Sequence, residues 1–414
     1  MADLDITATS PKVMISDWLI LALFASIGPI IAFATKGIVL WLALIGILSI
    51  IGLVLRPESW RWSPSLFTFT LFLISVWASI SLLWSVDADK SWGGVRFVWS
   101  VWLLGLPGFI YVPWVAHKIG QRFFQILAFS LVVGGCFSLA LGLLPNFIEM
   151  SGEGSGTDFE RHVSRALYFV VLSLFVYGSR LNQKHGRLVW VGLLVFLGLS
   201  LFTTTQTVVV AMAMGLVGVL FCHLFARYAA LVLTLVCSLY FAISVPLFSY
   251  NYENNVAGNI LGSVNVDELV SSGPRSWMYA FFADEIQNRP ILGHGIRVSK
   301  NYMPTEASEL FLANPNGVRA ESHPHNVPLQ ILFDLGAIGA LLTVLAIWAF
   351  LQEARQRLSA SAYAWIFGFT CALIGLGLFS TSIWAAWFLI VFVANFLLIR
   401  LLETRQLDLE TQPR

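Results

Sequence analysis

The chain is 414 residues long, with 57% hydrophobic residues, only 11% charged residues and a mean hydropathy of +0.79. A soluble core stops growing well below this length, so the composition excludes an ordinary water-soluble domain and indicates a bilayer as the solvent. The net charge of +1 argues against a nucleic-acid partner, because a surface that binds a nucleic-acid backbone needs a basic excess or stripe. The four cysteines lie in or beside apolar segments and indicate neither a disulfide framework nor a thiolate metal site.

Apolar segments of about span length follow one another along the chain. They lie near residues 17–35, 37–55, 65–84, 95–116, 123–145, 163–179, 188–203, 206–225, 228–249, 328–351, 361–380 and 384–401. The sequence therefore predicts an all-α polytopic membrane protein with about twelve transmembrane helices. Helices 1 to 9 occupy residues 1–249, helices 10 to 12 occupy residues 328–401, and residues 402–414 form a tail.

Charges in the connections predict the orientation of these helices, because cytoplasmic loops are enriched in Lys and Arg. One set of connections is basic, with Arg56, Arg61, Lys118, Arg122, Arg180, Lys184, Arg187, Arg227, Arg355 and Arg357. The alternate set is acidic, with Asp87, Asp89, Glu149, Glu153, Asp158 and Glu160. The first segment carries no signal-peptide cleavage pattern, so we expect an uncleaved first span and cytoplasmic N- and C-termini.

The same alternation places the one long connection, residues 250–327, on the outer face between the ninth and tenth spans. A connection of this length in a chain of short loops is typical of a functional segment. Ser272 and Pro274 indicate a helix start, and residues 275–287 carry apolar side chains at helical spacing. We therefore predict an amphipathic helix near the membrane surface within a large periplasmic loop.

This loop also concentrates the basic residues that the outer face otherwise lacks. They are Arg275, Arg289, His294, Arg297, Lys300, Arg319, His323 and His325. An anion such as a lipid-linked phosphate explains them best, because the planar guanidinium of Arg binds phosphate oxygens in a bidentate way. Arg275 also lies near a predicted helix N-terminus, which favours an anion. Alternatively, these arginines pair with Asp284, Glu285 or lipid headgroups.

The segment ESHPHNVPLQILFDLGAIG, just before and within the tenth predicted span, completes a set of three motifs. Together the motifs resemble those of the O-antigen ligase family, whose superfamily includes O-antigen polymerases and protein O-oligosaccharyltransferases. The family pairs an Arg-x-x-Trp helix and a Pro-x-x-Gly-x-Gly turn with a His-Asn followed by Gly-x-x-Gly. The matching residues are Arg275 and Trp277, one residue closer than in the family; Pro290, Gly293 and Gly295; and His325, Asn326, Gly336 and Gly339.

The resemblance implies a GT-C-like glycosyltransferase architecture without a metal or cofactor. It implies transfer of a glycan from undecaprenyl pyrophosphate to the lipid A-core oligosaccharide, at the periplasmic face of the bacterial inner membrane. His325 is the candidate catalytic base, because a neutral imidazole can accept a proton from an acceptor hydroxyl. Arginine side chains can stabilise the pyrophosphate leaving group. Direct displacement of that group would invert the anomeric configuration.

One departure from the family concerns the start of the eighth span, where many members carry a Ser-Arg pair. This chain has Gln206 at about that position. Arg161 and Arg165, at the outer end of the sixth span, are the candidate replacements. The substrate-binding set predicted from the sequence is Arg275, Arg161, Arg165, Arg289, Arg297, Asn326 and His323.

Several of these residues also have a simpler explanation. Asn326 could cap the tenth span, and Gly336 and Gly339 could serve helix packing. His323, His325 and Glu321 could chelate a metal, and Asp87 with Asp89 could do the same or form an ordinary acidic loop. Asp334 is an acid within a predicted span, so it is a candidate polar site or a partner of a neighbouring helix.

Three other functions remain open at this point. An O-antigen polymerase shares the expected fold and the histidine loop, and a protein O-oligosaccharyltransferase is disfavoured by the absence of a large C-terminal domain. A glycolipid transporter or flippase would also need many spans. It is disfavoured because the charged residues gather at the outer face and no internal repeat is visible.

Overall fold

The computed structural model describes residues 14–33, 37–60, 64–116, 121–148, 157–203, 206–254, 272–300, 302, 323–379 and 382–411. Within these ranges every regular element is a helix, which confirms the all-α prediction. The α-helices are α1 (Ile15–Ala25), α2 (Ile27–Phe33), α3 (Gly37–Leu55), α4 (Leu66–Ile80), α5 (Ala88–Ala116), α6 (Gln121–Ile148), α7 (Thr157–Ser200), α8 (Gln206–Asn254), α9 (Ser272–Asn288), α10 (Val327–Arg357), α11 (Ala360–Phe379) and α12 (Ala386–Thr411). Pro57–Ser59 and Ser81–Trp84 are 3₁₀ turns.

Six of the described helices are long and apolar enough to cross a membrane by length and composition. They are α3, α4 with the 3₁₀ turn that follows it, α5, α8, α10 and α11. Large apolar side chains point outward from the bundle, such as Leu83 at 84% exposure and Leu224 at 75%. Such a surface needs apolar surroundings, so the fold is that of a polytopic membrane protein. The count of about twelve spans, the domain boundaries and the periplasmic side of the long loop stay predictions.

The predicted segments differ from the helices of the structure in three places. The segment near 17–35 is divided at Ser26, next to Gly28 and Pro29. The segments near 206–225 and 228–249 form α8, with a kink where Phe225 leaves helical geometry (φ −130°, ψ 37°). The segments near 163–179 and 188–203 form the single helix α7, where a loop was predicted between two helices. No proline interrupts residues 180–187, and most of them are good helix formers.

Small residues set the closest helix contacts, as is usual where helices pack within a bilayer. A Cβ atom on Gly28 of α2 would stand 1.9 Å from the carbonyl oxygen of Ser130 in α6. A Cβ atom on Gly215 of α8 would stand 2.2 Å from the ring of Phe175 in α7. These glycines therefore allow backbone approaches that any larger residue would prevent.

The predicted amphipathic helix of the long loop is α9. Its apolar side chains Phe281, Phe282 and Ile286 are buried in a core cluster with Leu329 and Phe333 of α10. The helix also packs against α8. This packing carries the following segment, residues 289–300, onto α10, and we call residues 289–300 the turn segment.

Helix α5 connects the two polar regions of the bundle. Near its start, a Cβ atom on Gly93 would lie 3.3 Å from Nη1 of Arg297 in the turn segment. Near its end, the hydroxyl of Tyr111 donates to Oδ1 of Asp17 at 2.7 Å. Gly93 and Tyr111 are separated by about 27 Å along the helix, at 1.5 Å per residue. The two regions are thus separated by about the thickness of a hydrocarbon core.

Candidate functional site

The centre of the candidate site is a break in α10 at Gly336 (φ 66°, ψ −167°). A break in a helix leaves N–H and C=O groups that need partners. The turn segment supplies several of them: Ala337 N–H donates to the carbonyl of Pro290 at 2.8 Å, and His294 N–H donates to the carbonyl of Phe333 at 2.8 Å. The Pro-x-x-Gly-x-Gly turn and the His-Asn-to-Gly-x-x-Gly helix are therefore bonded to each other.

Three glycines make this docking possible. Gly293 (φ 71°), Gly295 (φ 112°) and Gly336 all have left-handed backbones, which side chains disfavour. A Cβ atom on Gly336 would stand 2.1 Å from the carbonyl oxygen of Ile291. The alternative that Gly336 only serves packing between helices is therefore wrong, since the residue breaks the helix and lets the turn segment approach it. Gly339 instead meets Leu335 of its own helix.

The end of α4, the 3₁₀ turn after it and the start of α5 hold the other side of the turn segment. Ser81 Oγ accepts a hydrogen bond from Ile296 N–H at 3.0 Å, and Ser91 Oγ donates to the carbonyl of Ile296 at 2.9 Å. Trp77 Nε1 reaches the break itself and donates to the carbonyl of Leu335 at 3.0 Å. The turn segment is thus bonded to a serine and tryptophan framework as well as to α10.

A stripe of polar side chains at every fourth position runs along the buried face of α10, formed by Asn326, Gln330 and Asp334. All three are at most 2% exposed. Asn326 caps the helix by accepting from Leu329 N–H at 3.0 Å, and its amide donates to the Tyr240 hydroxyl at 2.8 Å. The capping alternative is therefore confirmed for Asn326, while its predicted contact with substrate is untested.

Gln330 and Asp334 bind the turn segment and the connection between α11 and α12. The Gln330 amide donates to Ser299 Oγ at 2.8 Å and to Ser382 Oγ at 2.9 Å. The Asp334 carboxylate accepts from Ser299 N–H at 2.8 Å, from the Ser299 hydroxyl at 2.9 Å and from Trp384 Nε1. Asp334 was expected to be a polar site or a helix partner, and its partners lie in the two connections.

Arg297 and His325 have unusual backbone conformations. Within the described part of the chain, they are the only residues other than glycine with a positive φ, at 65° and 49°. Such conformations cost of order 1–3 kcal/mol each, and they cluster at ligand-binding and active sites. Both residues were selected from the sequence on chemical grounds, so the backbone is a second and independent indication for them.

The two arginines of the turn segment differ in their partners. Arg289 is exposed, and its Nη1 donates to the carbonyl of Trp84 at 3.0 Å. Arg297 is half-buried beside Gly93, and among the described residues its guanidinium has no ion pair or side-chain hydrogen bond. Of these two, Arg297 has the guanidinium that is free to bind an anion.

The histidines of the Ser-His-Pro-His sequence stack on each other. The ring centroids of His323 and His325 are 4.2 Å apart, with an interplanar angle of 34°. Burial, together with repulsion from the positive charges that His325 and Lys300 can carry nearby, lowers the pKa of His323 to about 3. His323 is therefore neutral at physiological pH, and its buried Nε2 has no hydrogen-bond partner among the described residues.

The remaining predicted residues are distributed around this centre. Arg275 lies in α9 and Arg161 in α7, but their side chains fall outside the described residues, as does Glu321. Arg165 is partly exposed near the start of α7. Asp87 pairs with Lys90 at 2.9 Å and accepts from its N–H, so it caps α5 as an ordinary loop acid would.

Sequence reasoning missed Ser299, Trp384 and Gln330, which connect the turn segment, α10 and the α11–α12 connection. Gln330 could have been found, because the spacing of Asn326, Gln330 and Asp334 puts three polar side chains on one helix face. Ser299 and Trp384 gave no such signal, since their contacts depend on segments distant in the sequence.

The fold and the site together describe a polytopic membrane protein in which a glycine-dependent turn docks into a broken helix. Residues 191–344 match a family model described as O-antigen ligase. The matched range contains the turn segment, Arg297, His325 and the break at Gly336. The match confirms the resemblance to the O-antigen ligase family that the three motifs indicated.

Relatives from three bacteria carry names that begin "Putative polysaccharide ligase". The protein of Rickettsia felis is 31% identical over 122 residues, which are 29% of this chain and 29% of that protein. Those of Rickettsia prowazekii and Rickettsia typhi are 23% and 22% identical over 80% of each chain. The chain thus covers less than a third of the first relative and four fifths of the other two.

Proposed function

We propose that the chain is an O-antigen ligase that transfers a glycan from undecaprenyl pyrophosphate to the lipid A-core oligosaccharide. The reaction takes place on the periplasmic face of the bacterial inner membrane, with both termini of the chain in the cytoplasm. The observation that carries the proposal is that the Pro-x-x-Gly-x-Gly turn is hydrogen-bonded to α10 at its break, which lies at the first glycine of the Gly-x-x-Gly motif. It joins the turn segment, which carries Arg297, to the helix that begins two residues after His325.

The chemistry follows from the side chains of this framework. His325 accepts the proton of an acceptor hydroxyl while that oxygen attacks the anomeric carbon of the donor glycan. The bond between the anomeric carbon and the pyrophosphate oxygen breaks, and undecaprenyl pyrophosphate leaves with the bonding electrons. Attack opposite the leaving group inverts the anomeric configuration. Arginine side chains, foremost Arg297, stabilise the charge on the pyrophosphate without a metal ion.

The apolar exterior fits the lipid part of both substrates. The undecaprenyl tail stays among the membrane lipids, and the outer ends of the helices hold the pyrophosphate and the acceptor sugar. Arg275, Arg289, Arg161 and Arg165 are further candidates for contacts to phosphate or glycan, and His323 and Asn326 support His325 from either side.

The test is glycan transfer in reconstituted membranes with undecaprenyl-pyrophosphate glycan, lipid A-core and EDTA. Wild-type protein is expected to make glycan-capped lipid A, and His325→Ala is expected to lower the rate by about 10²- to 10⁴-fold, the usual loss for a general base. His325→Asn keeps a residue that tolerates the left-handed backbone, so it separates loss of the imidazole from a change in the loop. The exposed His223 on α8 provides the matched control His223→Ala.

Each outcome decides a part of the proposal. Unchanged transfer by His325→Ala and His325→Asn would remove His325 from the mechanism. Loss of activity on addition of EDTA would overturn the metal-independent mechanism. Elongation of the lipid-linked glycan by the wild type, without transfer to lipid A-core, would identify an O-antigen polymerase instead.

A further inference from the structure

Asp334 is a fully buried acid in α10 that is satisfied without a cationic side chain. Its two oxygens accept hydrogen bonds from Ser299 N–H, the Ser299 hydroxyl and Trp384 Nε1, and the backbone N–H of Arg297 also faces the carboxylate. A carboxylate has about four lone-pair sites, so these donors nearly saturate it. The arrangement needs no guanidinium to compensate the acid.

The acid therefore binds the backbone of Arg297 and leaves its side chain available. The N–H groups of residues 297 and 299 both face Asp334. Arg297 has its left-handed backbone (φ 65°) within this hydrogen-bonded stretch. The same conformation carries the side chain away from α10 to α5, where Nη1 lies near the position that a Cβ atom of Gly93 would occupy. Gly94, against which the Cβ atom of Arg297 packs, completes this contact.

We propose that Asp334 is a positioning residue, which holds the turn segment so that the Arg297 guanidinium meets the pyrophosphate of the lipid-linked donor. This inference rests on the proposed function, because it assumes a pyrophosphate ligand. Asp334 does not touch the ligand and acts through Arg297. Ser299 is the connecting residue, since it bonds to Asp334 through both its N–H and its hydroxyl, and to Gln330 through its hydroxyl.

The test is a double-mutant cycle on binding of undecaprenyl pyrophosphate, without a glycan, to the full chain in lipid nanodiscs. Arg297→Ala and Asp334→Asn are each expected to weaken binding by about 10-fold or more, the usual effect of losing a charge-assisted hydrogen bond. The double variant is expected to bind as weakly as Arg297→Ala alone, because residues that act as a unit are not additive. Asp284→Asn, the same change at an exposed position of α9, is the matched control.

A purely structural role for Asp334 predicts different results. In that case the two effects multiply in the double variant, or Asp334→Asn lowers the thermal stability without changing the affinity of the folded fraction. Either result would overturn the inference. If Asp334→Asn does not fold, Ser299→Ala takes its place in the cycle, since it removes one bond to Asp334 and keeps the acid.

Failure of the proposed function would give another pattern. A wild-type protein that does not bind undecaprenyl pyrophosphate would contradict the proposed donor. Binding by the wild type that Arg297→Ala leaves unchanged would overturn only the role of Asp334 and Arg297.

Discussion

The bundle buries one aspartate in each of its two polar regions, and the two acids are compensated in opposite ways. Asp17 of α1 forms an ion pair with Arg56 at 3.1 Å and accepts the Tyr111 hydroxyl, and Arg56 also stacks over Trp114 at 4.4 Å. Asp334 of α10 is equally buried but is bound by neutral donors. In the first region, the guanidinium of Arg56 is paired with the acid.

This difference separates a structural clamp from a site. The Asp17 region closes on itself, because each charge is matched within the protein. The Asp334 region uses backbone N–H, hydroxyl and indole groups instead, so the guanidinium of Arg297 is not paired with this acid. A buried acid that is paired with a nearby cation thus indicates a structural clamp. A buried acid that is bound by neutral donors instead leaves a nearby cation available and indicates a ligand site.

The largest expected effect is the loss of the clamp. Arg56→Ala leaves Asp17 buried without its cation, so we expect the free energy of unfolding to fall by about 3 to 5 kcal/mol. Arg297→Ala, the same change in the other region, is expected to cost less than about 1 kcal/mol, because among the described residues this side chain has no ion pair or side-chain hydrogen bond to lose. Unfolding in detergent measures both. Equal losses for the two variants would contradict the comparison.

The next effect is expected at the break in α10. Gly336→Ala places a Cβ atom 2.1 Å from the Ile291 carbonyl oxygen, in a backbone region that is essentially restricted to glycine. We expect a loss of about 3 kcal/mol, with weaker binding of undecaprenyl pyrophosphate. Gly192→Ala in α7 is the control, because no described atom lies within 4 Å of its Cβ position and alanine favours a helix. A harmless Gly336→Ala would mean that the turn segment does not depend on this break.

Acid should destabilise the turn segment through His294. Burial lowers the pKa of His294 to about 4 from 6.5, although its Nδ1 donates to the Phe333 carbonyl at 3.2 Å. The folded value lies below the unfolded one, so the unfolded chain binds more protons between pH 6.5 and 4. The stability from this residue is therefore complete above pH 6.5 and is lost as the pH falls toward 4.

Between pH 7 and pH 5 we expect a loss of roughly 2 kcal/mol from His294. Hydrogen exchange should show that protection of the amides in residues 289–300 falls between pH 7 and pH 5. His294→Phe, which keeps a flat ring against Phe333, should reduce this pH difference. An unchanged difference in that variant would assign the effect to another group.

The smallest effect is expected at the exposed ion pair of Asp87 and Lys90. Both side chains are about one third exposed, so solvent screens their attraction. Lys90→Ala should change the free energy of unfolding by less than about 1 kcal/mol and leave donor binding unchanged. A large loss would show that proximity to the turn segment, and not the degree of burial, sets the cost of a broken pair.

Much of the fold was predictable because hydropathy and helical periodicity are local properties of the sequence. The segments near 37–55 and 361–380 agree with α3 and α11 within one residue at each end. Helix α9 was predicted from its apolar spacing and the flanking prolines. The continuity of α7 was not, since a polar and basic stretch is compatible with both a loop and a helix.

The candidate site was predictable in its chemistry but not in its assembly. Arg297 and His325 could be selected because their side chains suit phosphate binding and proton transfer. Their strained backbones and the docking of the turn segment onto the carbonyls of α10 could not, since hydrogen bonds between distant residues leave no periodic signal.

The sequence by itself determined a polytopic helical membrane protein, its glycine-containing motifs and the residue types of its site, because composition, spacing and side-chain chemistry are written along the chain. Only the tertiary structure decided that Gly336 breaks α10, that the turn segment satisfies peptide groups exposed by this break, and that Asp334 binds N–H, hydroxyl and indole groups rather than the guanidinium of Arg297. These depend on which groups meet once the helices pack, and buried polar groups must find partners wherever the fold brings them.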